Sequence, residues 1–144
     1  MTNPVSAYKE TSIRTASPGQ LVLMLYAEAI RQCDLASGLM GTAGKKDPGL
    51  IERINGAVIR AQDIVTELMA SLDFEAAPEI SNNLFSLYSF FNRELTEANI
   101  AKDAARVKAV RNMLEELRGA WIEVVKKAGE SRAQPARSGV NISG

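Results

Sequence analysis

From Leu21 to Ile30 the chain is apolar at every position except Glu28. A helix that is oily nearly all round has to be covered on several sides, and no other feature narrows the fold as much. A helix start precedes the run. Ser17 can accept a hydrogen bond from the free amides of a new helix. Pro18 suits the first helical position, with its fixed φ and missing N–H, and Gln20 stands where its amide can bond back to Ser17 in a capping box. The stretch from Thr15 to Tyr26 therefore reads as the opening of the central rod of a helical bundle, wide enough to need cover from outside its own chain. It is too short to span a bilayer.

The remaining chain supplies partners for that rod. The first helix is expected from Pro18 to Leu39 or Met40, closed by Gly38, Gly41 and Gly44. Asp47-Pro48 restarts a helix with a cap and a first-position proline. Along it Ile51, Ile54, Val58, Ala61, Val65, Leu68 and Leu72 alternate spacings of three and four, the seam of a bundle helix. Asp73–Ala77 form a break and Pro78 opens a third helix, whose inward stripe is Ile80, Leu84, Leu87, Phe91, Leu95 and Ala98, with Asn99 as a stop. Asp103 is the candidate cap of a fourth helix carrying Val107, Val110, Leu114, Leu117, Trp121 and Val124. Short connections make sequential helices antiparallel. The expected fold is all-α, an antiparallel up-and-down four-helix bundle over 17–128. An N-terminal arm over 1–16 precedes it, and a disordered tail over 129–144, which lacks periodicity, follows.

Composition removes most functional classes. Lysine plus arginine equals aspartate plus glutamate at 17 each, so there is no long-range pull on phosphate backbones and no nucleic-acid partner is expected. The chain has no histidine, which rules out Glu-x-x-His di-iron sites and deprives zinc of its usual ligands. No phosphate cradle or nucleophile elbow is present, Ser17 reads as a cap, and Cys33 reads as a small buried hydrophobe. The chain is expected not to be an enzyme and to need no metal or cofactor. Met1–Val5 carry no basic region leading into an apolar one, so no secretory signal or membrane insertion is expected and a cytoplasmic location is.

What remains is apolar surplus. Leu23, Met24, Ile59, Ile64, Phe85, Phe90 and Ile122 do not all fit inward stripes. They make either a wide core with ordinary exposed hydrophobes or a groove that receives helices from another chain. The alternative to such a groove is a self-associating structural or adaptor bundle that hides the same surface in a homodimer, so the chain is expected as a monomer or a homodimer.

Several ordered motifs resemble the flagellin-specific export chaperones of bacterial flagella, the FliS family. They are Tyr8, Ile13, Thr15-Ala16-Ser17-Pro18, the helix from Leu21 to Tyr26, Ala61-Gln62-Asp63-Ile64-Val65, Ser71-Leu72-Asp73, Asn83-Leu84 with Leu87-Tyr88, and Leu117-Arg118-Gly119-Ala120-Trp121. Two departures stand out: Ala27-Glu28 where the family often has Asp-Gly, and Ala76-Ala77-Pro78 where it often has a glycine pair. The resemblance implies a bundle that binds the disordered C-terminal segment of flagellin, prevents early polymerisation and presents it to the flagellar type III export gate. It also implies that the arm lies over part of the groove and yields to the client. On that basis client contact or arm docking is assigned to Tyr8, Ile13, Leu21, Leu25, Ile64, Leu68, Leu84, Leu87, Tyr88 and Phe91. Core packing competes for every helical member, foremost for Leu68, Leu84, Leu87 and Phe91.

Overall fold

The computed structural model describes residues 18–42 and 47–143, the side chains of 130–143 excepted. The Ser17 cap, Gly44, and the arm residues Tyr8 and Ile13 lie outside the described residues. Four helices follow in order: α1 Pro18–Met40, α2 Pro48–Ala70, α3 Pro78–Ala101 and α4 Ala104–Ser143.

Local chemistry sets most of the ends. Asp47 is extended (φ −62°, ψ 122°), and its Oδ1 accepts from the Gly49 N–H at 2.9 Å ahead of Pro48. Between α2 and α3 the Asp73 carboxylate accepts from the amides of Glu75 and Ala76 at 3.1 and 3.0 Å, a tight turn held by one side chain. α3 stops because Lys102 takes the left-handed conformation (φ 52°) and the Asp103 N–H reaches back to the Ala98 carbonyl at 2.9 Å. The Lys102 ammonium then bonds Asn55 Oδ1 at 2.9 Å and also Asn99 Oδ1, tying the turn to α2. Asp103 caps α4 as expected, accepting from Ala105 and Arg106 at 3.0 and 3.3 Å.

Cross-helix bonds fix direction and register. Gln62 on α2 bonds Thr96 on α3, and four residues later Thr66 bonds Asn92, so one number rises as the other falls. Asp34 of α1 pairs with Arg111 of α4 at 3.0 Å, while Gly19 lies against Val125. Every sequential pair is antiparallel, and α4 returns alongside α1 to close a four-cornered ring. In the ring α1 packs most extensively, against α2 and α4, and meets α3 only across the diagonal. It is thus a corner and not a central rod, because α3 reaches it only through a long side chain from each.

The core follows the spacing over most of the length. Ile54, Val58, Ala61, Val65 and Leu68 of α2, Phe91, Leu95 and Ala98 of α3, and Val107, Val110 and Leu114 of α4 are buried. Cys33 is fully buried among them, and burial pushes its thiol up to about 12, with Asp34 adding to the shift. Such a thiol stays protonated and inert. Two stripe members depart: Ile80 is 63% exposed and Val124 53%. The register explains Ile80. Since Thr66 lies opposite Asn92, Ala70 at the end of α2 lies level with Tyr88, and residues 78–87 of α3 overhang past it. Val124 sits at the same end, where α3 and α4, the least extensively packed neighbours, offer it no cover.

α4 remains helical through 129–143, where the lack of apolar periodicity predicts an unstructured tail. Periodicity reports packing, whereas backbone helix also follows local propensity. Alanine, arginine, glutamate and glutamine are frequent up to Pro135.

Candidate binding surface at the open end

The overhang of α3 leaves one end of the bundle incompletely filled. Four pieces meet there: the first turns of α1, the end of α2 with its return loop, the first turns of α3, and α4 from Trp121 to Val125. Phe74, Ile80, Phe85, Ile122 and Val124 lie at this end, five of the eight exposed large hydrophobic side chains among the described residues. Phe74 folds from the return loop onto Phe85, edge to face, with ring centres 6.2 Å apart. The loop is held in that position by the Asp73 turn and by Ser81 Oγ, which donates to the Asp73 carbonyl at 2.9 Å.

Two clefts flank α1 here. One, of about 240 Å³, is lined by Pro18, Leu21, Val22 and Leu25 from α1 and by Glu67, Ala70 and Ser71 from α2. The other, about 380 Å³, lies between Gly19-Gln20 and the Trp121–Gly129 stretch of α4. Gly19 is required for this approach, since a Cβ there would sit 2.8 Å from Val125 Cγ2. Leu21, Val22, Leu23 and Met24 are all half-buried. The oiliest turn of the chain is thus only half covered by its own fold.

Beneath the clefts the diagonal is bridged by a hydrogen bond between the Tyr26 and Tyr88 hydroxyls, both buried. Burial raises both phenols above their ordinary value; for Tyr26, hydrogen bonds from Tyr88 and Trp121 partly oppose that rise. The pair satisfies two polar groups that would be costly to bury alone. On the α1–α2 face, Arg60 Nε donates to Gln32 Oε1 and Gln32 Nε2 to Glu28 Oε1, both at 3.0 Å. The hydrogen bond from Arg31 chiefly holds the Glu28 carboxyl below its ordinary value. Glu28 is the residue that departs from the expected Asp-Gly, and here it anchors a polar ladder on the flank. Among the described residues no group of three or more His, Cys, Asp or Glu is placed to hold a metal ion. None of the described helices is long and apolar enough to cross a membrane.

A family model described as "Flagellar protein FliS" matches residues 1–128. The chain belongs to the FliS family. It is 32% identical over 130 residues to the "Flagellar secretion chaperone FliS" of Bacillus subtilis (strain 168), covering 90% of this chain and 92% of that protein. The protein of the same name from Salmonella typhimurium is 32% identical over 126 residues, 85% of this chain and 89% of the relative. A "Flagellar secretion chaperone FliSB" of Pseudomonas aeruginosa is 26% identical over 112 residues, 78% and 84% of the two chains.

In this FliS-family bundle the residues singled out from sequence fall into three groups. Leu21 and Leu25 come together on the wall of the α1–α2 cleft. Leu84 and Leu87 are half-buried near the overhang of α3 and pack against the core. Ile64, Leu68, Tyr88 and Phe91 are at most 1% exposed and belong to the core itself. Of the surplus hydrophobes, Ile59, Phe85 and Ile122 are exposed, Leu23, Met24 and Phe90 are half-buried, and Ile64 is inside. Sequence reasoning missed Phe74, Ile80 and Val124. The last two sit at inward spacing; the early end of α2 strips the cover of Ile80, and the sparse packing of α3 on α4 leaves Val124 open. Phe74 is a lone aromatic in a turn, with no periodic signal to mark it.

Proposed function

We propose that this FliS-family chain is a cytoplasmic flagellar export chaperone. In this reading it binds the disordered C-terminal segment of flagellin, keeps it from polymerising, and hands it to the type III export gate. The observation that carries the reading is the open end: two clefts flank the apolar first turns of α1, one against α2 and one against α4, and exposed apolar side chains of the return loop, α3 and α4 lie at the same end of the bundle. Family membership supports a chaperone role. A client that folds as it binds spends about 2–5 kcal/mol on ordering and recovers it over an apolar footprint of about 1,000–3,000 Å². The exposed and half-buried residues of the open end offer the start of such a footprint, and no charged cluster is needed. In the same reading the arm that precedes Pro18 holds Tyr8 and Ile13 over the groove until the client arrives.

The test is titration of the full chain with a synthetic flagellin C-terminal segment. Helical circular dichroism should rise, and the fluorescence of Trp121, the only tryptophan and a lining residue of the second cleft, should shift with it. No saturable change at micromolar segment would refute the reading.

A further inference from the structure

Four arginines of the described bundle sit on carboxylates: Arg31 with Glu28, Arg106 with Glu94, Arg111 with Asp34 and Arg118 with Glu115. Arg53 and Arg60 of α2 sit on none. They stand seven residues apart on one face of the helix, about 10 Å along its axis. Between them, at the far end of α1 from Leu21, lies another cleft, of about 250 Å³. It is lined by Leu35 and Leu39 of α1 and by Glu52, Arg53, Gly56 and Arg60 of α2. Its α1 wall is apolar, with Leu35 38% exposed and Leu39 half-buried. Gly56 opens the notch, since a Cβ there would sit 3.2 Å from Arg60 Nη1. The Arg60 guanidinium is also held in place. Its Nε donates to Oε1 of Gln32, a side chain only 3% exposed, whose Nε2 donates in turn to Glu28 Oε1. That leaves the terminal nitrogens of Arg60 for a partner outside the bundle. Glu28 is engaged by Arg31 and feels Arg60 only through space, and Glu52 on the rim pairs with neither arginine.

We propose that this notch is a second docking site, separate from the open end, for an acidic segment of another protein: an apolar side chain of the segment packs on Leu35 and Leu39, and carboxylates on either side of it pair with Arg53 and Arg60. Charge complementarity selects the occupant. A carboxylate matches the planar fork of a guanidinium with two parallel hydrogen bonds, and a fork already held by Gln32 loses little freedom in making them. A neutral or basic segment leaves both arginines without acids and gains only the contact on Leu35. On a partner helix, two acids seven residues apart with an apolar residue between them match the spacing of the arginines. The notch lies about 21 Å along α1 from Leu21, so it can be occupied while the open end holds a different guest. The proposal therefore does not depend on the flagellin reading. No stretch of this chain has the composition of the occupant. Residues 43–46, between α1 and α2, read Ala-Gly-Lys-Lys; Glu10 of the arm stands beside Lys9; and Glu130 is followed by Arg132 and Arg137.

The probe is a capped helical peptide with one leucine, a glutamate three residues before it and another four residues after it. It is added to the full chain and followed through the Nε–H signals of Arg53 and Arg60 in NMR spectra. Both signals should shift saturably at millimolar peptide, and the same peptide with glutamines for its glutamates should bind about fivefold more weakly or worse. Arg53→Gln and Arg60→Gln should each weaken binding of the acidic peptide about threefold, while loss of the exposed Arg93 of α3 in Arg93→Gln should leave it unchanged. Gly56→Ala keeps every charge and favours the helix but crowds the guanidinium, so binding should fall about twofold or more at an unchanged or higher melting temperature. Absence of saturation overturns the proposal. Equal binding of the two peptides overturns it in favour of apolar contact alone, and a loss in Arg93→Gln equal to that in Arg60→Gln overturns it as non-specific attraction. Displacement of the acidic peptide by the flagellin C-terminal segment overturns the separateness of the site, whereas a flagellin segment that fails to bind overturns only the functional reading above. A dimer of the full chain that both the acidic peptide and Arg60→Gln split makes a second copy the occupant and overturns the proposal.

Discussion

Replacing either tyrosine of the diagonal pair should have an unequal cost, and the inequality can be worked from their partners. Tyr88 has the Tyr26 hydroxyl as its hydrogen-bond partner, whereas Tyr26 also has Trp121. Tyr26→Phe therefore leaves a hydroxyl that is 1% exposed with nothing to bond, a penalty of about 1–3 kcal/mol. The Trp121 N–H freed by the same change is half-exposed and can turn to water. Tyr88→Phe leaves Tyr26 still bonded to Trp121 and loses one ordinary hydrogen bond, about 0.5–1.5 kcal/mol. In the double variant no orphan remains, so its cost should fall below the sum of the singles by about 1 kcal/mol. Urea unfolding of the four proteins, with slopes held equal, measures all three quantities. A Tyr88→Phe cost equal to or above that of Tyr26→Phe, or strict additivity, would refute the assigned partners.

Other expectations follow from the same coordinates. Gly19→Ala drives a methyl into Val125 and should cost about 1–3 kcal/mol, with Val125→Ala in the same chain restoring most of the loss in a thermal melt. Asp103→Ala removes the α4 cap and should lower stability by about 1 kcal/mol in urea. Leu68→Ala, in the core, should cost about 2–5 kcal/mol; Leu21→Ala, on the cleft wall, should instead weaken segment binding while the melting temperature stays nearly constant. Cys33, Tyr26 and Tyr88 all have folded-state values raised by burial, so the stability they confer is complete below their unfolded values. It is lost as pH climbs, first through Cys33 between its ordinary 9.0 and about 12, then through the phenols. The urea midpoint should fall steadily above pH 9, and Cys33→Ala should flatten the first part of that fall.

The helices were legible because their punctuation is local. Asp47-Pro48, Pro78 and Asp103 each act within a turn of themselves, so they can be read without knowing what lies across the bundle. The seam of α2 was legible too, since that helix has neighbours along its whole length. The binding surface was harder to read because exposure at the open end is a matter of register. Ile80 and Val124 carry the same spacing signal as Leu95 and Leu114, yet only the latter two meet an opposing helix. Nothing in the residues around Ile80 says that α2 ends at Ala70, level with Tyr88. The surplus at Phe85 and Ile122 was visible as apolar residues off the stripe; the burial of Ile64 was not, because whether an off-stripe residue is inside depends on which two neighbours its helix sits between. The diagonal tyrosine pair was invisible for the same reason: Tyr26 and Tyr88 stand 62 residues apart, and only the ring arrangement brings their hydroxyls together.

The central claim is that a guest segment completes the unfilled end of the bundle. Amide hydrogen exchange of the full chain, with and without saturating flagellin C-terminal segment, tests it residue by residue. Protection should grow in the first turns of α1, the return loop and residues 78–87 of α3, with the turn at Lys102-Asp103 unchanged. A footprint centred on that opposite end, or saturable binding that leaves the overhang as exchangeable as before, would contradict the account.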